Sequence, residues 1–239
     1  MNKTKVIVWA IAIALLLIAG LACGPKQTET PPSPTPVTEP TTIPETPAPS
    51  PEAVSPADNL TEISTSYTTY TNESNLFSIS YPSDWENVLP LMPDLENQAK
   101  KTESDLKAGL PVERTTILFI AGKPEGTGLD PNVNVGIEPV PATVLSNEDY
   151  ADEAARALKK FAPDYHELSR INTKIDGRDA VIIEYEATYP GTGSKVHTLA
   201  MSILMGKTAW LVDCATGTEE FDTWKTDFDT IIRSLKIYD

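Results

Sequence analysis

Residues 165–215 read YHELSRINTKIDGRDAVIIEYEATYPGTGSKVHTLAMSILMGKTAWLVDCA. Four stretches, Tyr165–Ile175, Ala180–Tyr189, Val196–Met205 and Ala209–Ala215, are separated by Asp176-Gly177, by Pro190–Gly193 and by Gly206-Lys207. β-Branched and aromatic runs bounded by such residues predict strands. Asp-Gly between two of them is a strong signal for a two-residue hairpin. Strands joined by tight turns have to run antiparallel. The central strands carry apolar residues in both registers, Ile182 beside Ile183 and Ile203 beside Leu204. Both faces of the sheet therefore need a cover.

The covers are legible on either side. Asp94–Ala108 follows Pro93, precedes Gly109, and spaces Leu95, Ala99, Thr102 and Leu106 helically. Ser146-Asn-Glu-Asp149 reads as a capping box, after which Tyr150, Ala154, Leu158 and Phe161 form one stripe up to Pro163. Thr216-Gly-Thr-Glu219 reads as a second box, ahead of a helix carrying Phe221, Trp224, Phe228, Ile231, Ile232 and Leu235. Further strands are expected at Asn75–Pro82, where Phe77, Ile79 and Tyr81 share a face, at Thr115–Ala121 and at Asn132–Pro139. In the last, Val133, Val135 and Ile137 point one way, so Asn132 and Asn134 are expected to face solvent. The expectation is an α/β sandwich of the α+β class over residues 67–239: a mainly antiparallel six- to seven-stranded sheet with helices on both faces. A domain of about 173 residues is large enough to bury one substantial core.

The rest of the chain reads differently. Lys3 and Lys5 precede an uncharged apolar run, Val6–Ala22, and then Cys23-Gly24. This is the layout of a secretory signal. Small Ala22 before Cys23 resembles a bacterial lipobox, which implies that residues 1–22 are removed and Cys23 is lipidated. An uncleaved span over Val6–Cys23 is the alternative, at the short edge of what crosses a bilayer. Either reading places the remainder outside the cytoplasmic membrane, anchored to it, with Lys3 and Lys5 inside. Residues 23–66 hold Cys23 and then a tether in which Pro25 through Pro56 supply 11 of the chain's 21 prolines, with Thr, Ser and Glu between them. Without an apolar period it cannot build a core. In polyproline II it would reach on the order of 100 Å.

Two segments of the domain carry a resemblance. Phe77-Ser-Ile-Ser-Tyr-Pro-Ser-Asp-Trp85, together with a closing Trp224…Phe228-Asp-Thr-Ile-Ile-Arg-Ser-Leu-Lys-Ile237, resembles the PsbP-like family. That family includes the extrinsic P subunit of photosystem II and many lipoproteins of bacteria and archaea. The resemblance spans the domain and implies an α/β/α sandwich around an antiparallel sheet, with Phe77 and Tyr81 inward and Trp85 at an edge. It implies no catalytic residue to carry over. The lipoprotein-like start and the Pro/Thr stalk point away from a photosynthetic role.

The formal charge is −15, from 19 Lys+Arg and 34 Asp+Glu, and most of it lies on the domain. Such a surface does not bind nucleic acid through bulk charge. His166 and His197 both fall in expected strands, where a packed or sheet-surface role is the ordinary one. No nucleophile elbow, zinc signature or phosphate loop occurs. Asp130-Pro-Asn132-Val-Asn134 opens like a calcium loop but has Val135 where that loop needs glycine. Cys214 shares a strand face with Trp210 and Val212, as a small buried hydrophobe would. Asn59-Leu-Thr and Asn72-Glu-Ser match the glycosylation pattern by chance. No catalytic, cofactor-binding or metal-ligating residue is assigned, and no cofactor is expected. The expected function is that of a non-enzymatic, membrane-tethered extracytoplasmic lipoprotein that binds or stabilises an envelope protein partner. The alternative is an extracytoplasmic module binding a small ligand or a cation such as calcium. A folded pocket of a few hundred Å³ with converging polar groups would favour the second, and a flat surface with an exposed apolar patch would favour the first.

Overall fold

A computed structural model of the chain describes residues 66–238, apart from 75, 126–127 and 191–192. Cys23 and the stretches read as signal and tether lie outside the described residues.

The Asp176-Gly177 turn forms as its sequence demands: both residues have positive φ, 51° and 75°, the conformation that a two-residue type I′ hairpin requires. It joins β6 (His166–Ile175) to β7 (Arg178–Thr188), which continues into β8 (Lys195–Met205) and β9 (Thr208–Gly217). Upstream, β4 (Thr116–Glu125) and β5 (Gly128–Pro139) form a second hairpin, edged by the short β3 (Glu86–Asn87). The seven strands lie in the order β3-β4-β5-β9-β8-β7-β6, every pair antiparallel. A separate three-stranded sheet holds β1 (Tyr67–Thr71), β2 (Phe77–Pro82) and β10 (Lys236–Ile237). The chain is thus α+β, as expected, with the Phe77 strand in a small sheet of its own.

Three helices cover the large sheet. Helix α1 (Pro93–Lys107) packs on β4, and α3 (Phe221–Arg233) packs on β8, β9 and β2. Helix α2 (Asn147–Phe161) crosses β7 and β8. Clusters of buried residues show that α2 has its own face. Phe77, Phe119, Val135, Met201, Trp210, Val212, Phe228 and Ile231 belong to the large core with α1 and α3. Val181, Ile183, Tyr185 and Leu211, from the alternate positions of the same strands, pack with α2. The two resembling segments meet in space. Phe77 pairs with Ile237 across β2 and β10, the Ser80 amide donates to Ser234 Oγ at 2.8 Å, and Trp85 lies edge-on to Trp224 at 5.8 Å.

One local expectation changes. Ser146 caps α2, accepting from the Asp149 amide at 3.1 Å, whereas Thr216-Gly-Thr-Glu219 caps nothing. Strand β9 runs on to Gly217, and the Thr216 hydroxyl donates instead to Asp130 Oδ1 at 2.6 Å, so α3 starts at Phe221 without a side-chain cap. Asn72 is buried; its Oδ1 accepts from the amides of Leu76 and Phe77, which gives it a structural role in the turn before β2.

Candidate functional site

Helix α2 is pinned over its face of the sheet by polar side chains. Asn147 donates to the Asp179 carbonyl at 2.9 Å and accepts from the Leu204 amide at 2.6 Å. Arg170 on β6 reaches up to Asp152 at 2.6 Å and Glu148 at 3.1 Å, and is held from below by Glu167 at 2.8 Å. Between these ties the helix presents alanines, Ala151, Ala154 and Ala155, to a sheet surface that is itself small at Ala200 and Ala215. Small residues on both sides leave space that neither side fills. The result is a cavity of about 130 Å³. That approaches the roughly 150 Å³ of an engineered apolar cavity that binds benzene.

The floor is polar. On β5 the residues opposite to Val133, Val135 and Ile137 point under α2. Asn132 and Asn134, expected to face solvent, are 3% and 1% exposed, and Asn134 lines the space beneath the helix. Asn134 pairs in register with Asp213 on β9, and Asp213 with Ala200 on β8. Both Asn134 and Asp213 line the cavity. Neither Nδ2 nor Oδ1 of Asn134 has a hydrogen-bond partner. A buried amide so placed carries a desolvation cost of about 1–3 kcal/mol. Glu138, at the far end of the same strand, accepts from the Tyr150 hydroxyl at 2.5 Å and from Thr115 Oγ1 at 3.2 Å.

The electrostatics follow from burial and from like charge. Asp213 retains part of its surface because it fronts the cavity. The protein mass around it disfavours its charge, and the Glu138 carboxylate adds to this, so that its pKa is pushed up to about 7. Burial also raises Glu138, against the two hydrogen bonds it accepts. Tyr150, Tyr165, Tyr185 and Tyr189 line the same space, and burial holds all four phenols protonated. No lysine, arginine or histidine side chain lines the cavity among the described residues. Three carboxylates, Glu138, Glu153 and Asp213, therefore line it, and no cationic side chain does.

The other residues considered from sequence lie elsewhere. His166 is exposed on the edge strand. His197 is buried on the opposite face of the sheet, stacked on Phe221 with centroids 3.4 Å apart, and its Nε2 is 3.0 Å from Glu184 Oε1. Glu184 also accepts from Lys225 at 2.8 Å. Burial alone would raise its carboxyl, but Lys225 and His197 outweigh that and hold it below the ordinary range. Cys214 is fully buried beside Trp210 and Val212, and burial pushes its thiol well up, as suits a packing residue. The Asp130–Asn134 segment is strand, not a calcium loop. Among the described residues no group of three His, Cys, Asp or Glu side chains is placed to hold a metal ion, and no helix is long and apolar enough to cross a membrane. What sequence reading passed over is Asp213 itself, a lone carboxylate in the apolar run Ala209–Ala215 of a central strand. A charge there is the signal, because a strand covered on both faces offers it no water.

These features define an α/β/α sandwich around an antiparallel sheet, with a cavity under one helix. The chain belongs to the PsbP family, whose sequence profile matches residues 65–237, well over half of it. Solved structures similar to it include cyanobacterial PsbP (CyanoP) from Synechocystis sp. PCC 6803, at 17% identity over 76% of this chain and 98% of that one, TM-score 0.48. LpqN, involved in cell envelope biogenesis of Mycobacterium tuberculosis, is 10% identical over 75% of this chain and 88% of its own, TM-score 0.45. The Saccharomyces cerevisiae Ran-binding protein Mog1p is 8% identical over 74% and 97%, TM-score 0.46. No curated protein sequence matches the chain.

Proposed function

We propose that this chain is a membrane-tethered extracytoplasmic lipoprotein, anchored through lipidated Cys23. Its PsbP-family domain is a non-enzymatic binding module that takes a small, largely apolar ligand under α2. One observation carries the binding reading: a cavity lined mainly by apolar side chains onto which a buried amide without partners, Asn134, and a half-buried carboxylate, Asp213, converge. Mostly apolar concavities with a few placed polar groups are what small-molecule sites look like. The signal and lipobox-like residues before Cys23 support the anchor.

Two measurements test this. The full chain is extracted from native membranes, and molecules released on denaturation are identified by mass spectrometry, beside a Leu158→Trp variant in which an indole occupies the cavity. The expected result is a small apolar compound carried by the native chain and absent from the variant. Intact mass of the same preparation should show a chain beginning at a diacylglyceryl-modified Cys23; a chain still beginning at Met1 sinks the anchor.

A protein-partner reading rests on a different observation. Strand β6 is a ten-residue edge of the large sheet, and it leaves Leu168 and Ile171 43% and 52% exposed. Such an edge is a surface on which another chain can add a strand. Cross-linking at β6 that recovers a stoichiometric envelope protein, from a chain carrying no small molecule, would put this reading first.

A further inference from the structure

We infer that the α2 cavity is selective for a small organic cation, a protonated amine on an aromatic or aliphatic body, which Asp213 pairs with and Asn134 orients. The inference rests on the small-ligand reading above and adds the chemical class.

Three observations lead to it. First, the cavity holds carboxylates and no cationic side chain among the described residues. The Glu138 carboxylate disfavours the charge of Asp213, and the other titratable groups that line the same space, from α2, β7 and the segments beside them, are Tyr150, Glu153, Tyr165, Tyr185 and Tyr189. None of these can neutralise it. Charges withdrawn from water in folded proteins are usually paired, and the half-buried Asp213 has no cationic side chain among the residues that line its cavity. Second, the Asn134 amide is 1% exposed, fronts the same space and has its carbonyl oxygen free to accept from a donor beside Asp213. An ammonium has three N–H groups in need of acceptors once it leaves water. Third, the remaining walls are mainly apolar or aromatic, with the hydroxyls of Thr198 and Ser202 among them. Four tyrosines surround the cavity, and aromatic faces attract desolvated cations.

The same features argue against other ligand classes. An anion would meet three acids and no base. A hard divalent cation seeks six or more oxygen ligands and does not replace them with alanine methyls. The acidic surface of the whole chain, −15 in formal charge, raises the local concentration of any cation near the entrance.

The test uses three probes of one shape: benzylamine, benzyl alcohol and benzoate. Each is titrated calorimetrically into the full chain in lipid nanodiscs, with empty nanodiscs as blank, from pH 5.5 to 8.5. At pH 8 benzylamine should bind at least tenfold more tightly than benzyl alcohol, and benzoate should not bind. The amine's advantage should shrink as pH falls through 7, because the proton that neutralises Asp213 then competes with the ligand. Asp213→Asn should remove the advantage while leaving benzyl alcohol bound, and the pH series on the native chain gives the same answer without any substitution. Equal binding of amine and alcohol at pH 8, or tighter binding of benzoate, overturns the amine selectivity and leaves the cavity as a site. If none of the three probes binds to folded protein, the small-ligand reading itself fails, and the inference with it.

Discussion

The two faces of the large sheet are built from alternate residues of the same strands, yet they differ in kind. Towards α1 and α3, strands β4, β5, β8 and β9 present Phe119, Val135, Ile137, Met201, Ile203 and Val212, each at most 1% exposed and packed against Phe221, Phe228 and Ile231. Towards α2, the neighbouring positions are Asn134, Glu138, Thr198, Ala200, Ser202 and Asp213, and a cavity lies between them and the helix. Burial of apolar area stabilises a fold at about 25 cal/mol per Å², so the first face supplies most of the stability. The second gives some of it up in exchange for polar groups held out of water. A site of this kind needs a rigid platform behind it, and the packed face provides one, two or three bonds away along each strand.

Substitutions on the two faces should therefore behave in opposite ways. Phe228 is fully buried beside Phe221, with ring centroids 5.8 Å apart. Phe228→Ala should cost on the order of 3–5 kcal/mol in chemical denaturation, the largest effect here. A loss below about 1 kcal/mol would mean that this face is not the platform. On the cavity face the sign reverses. The Asp213 carboxyl is held at about 7 in the fold, against an ordinary value near 4 in an unfolded chain. Between these values the folded chain keeps a proton that the unfolded chain has lost, so stability falls as pH rises from about 4 to 7 and stays lower above. The full rise would amount to roughly 4 kcal/mol; water in the cavity screens part of it, leaving on the order of 2 kcal/mol. Asp213→Asn should thus stabilise the protein at pH 8 and leave it unchanged at pH 4. Urea denaturation at the two pH values checks this, and a variant less stable than the native chain at pH 8 refutes it.

The packed face was the readable one. Alternation at Phe77, Ile79 and Tyr81, at Val133, Val135 and Ile137, and the helical stripe ending at Leu235 each point to a core, because apolar side chains have one destination whatever their partners. The hairpin order followed from turns such as Asp176-Gly177, whose backbone requirement is local. The cavity face was not readable in this way. Asn132 and Asn134 alternate with valines just as solvated residues do, and only the elements packed over that face decide that they are covered. Thr216-Gly-Thr-Glu219 has the form of a helix cap, but the Thr216 hydroxyl goes to Asp130, a residue far away in sequence. In each case a polar side chain took its role from a partner in another element. The lone Asp213 in an apolar strand was the one local sign of the site.

Helix α2 itself gives a smaller test, at its N-terminus. Its roofing position depends on the start of the helix, where Ser146 accepts from the Asp149 amide and Asp149 Oδ2 in turn accepts from the Leu145 amide at 3.1 Å. The next residue, Asn147, ties that same turn to β7 and β8. Ser146→Ala removes one cap bond and should cost about 1 kcal/mol. If the two faces are as distinct as their packing indicates, the loss will be felt locally. Amide exchange should speed up along α2 and leave β5, β9 and α3 unchanged, because the packed face does not depend on the roof. Equal acceleration on both faces would show instead that the platform and the roof unfold as one unit. A site whose roof opens below the global stability can admit a ligand without unfolding its floor, and the cap is where that difference is set.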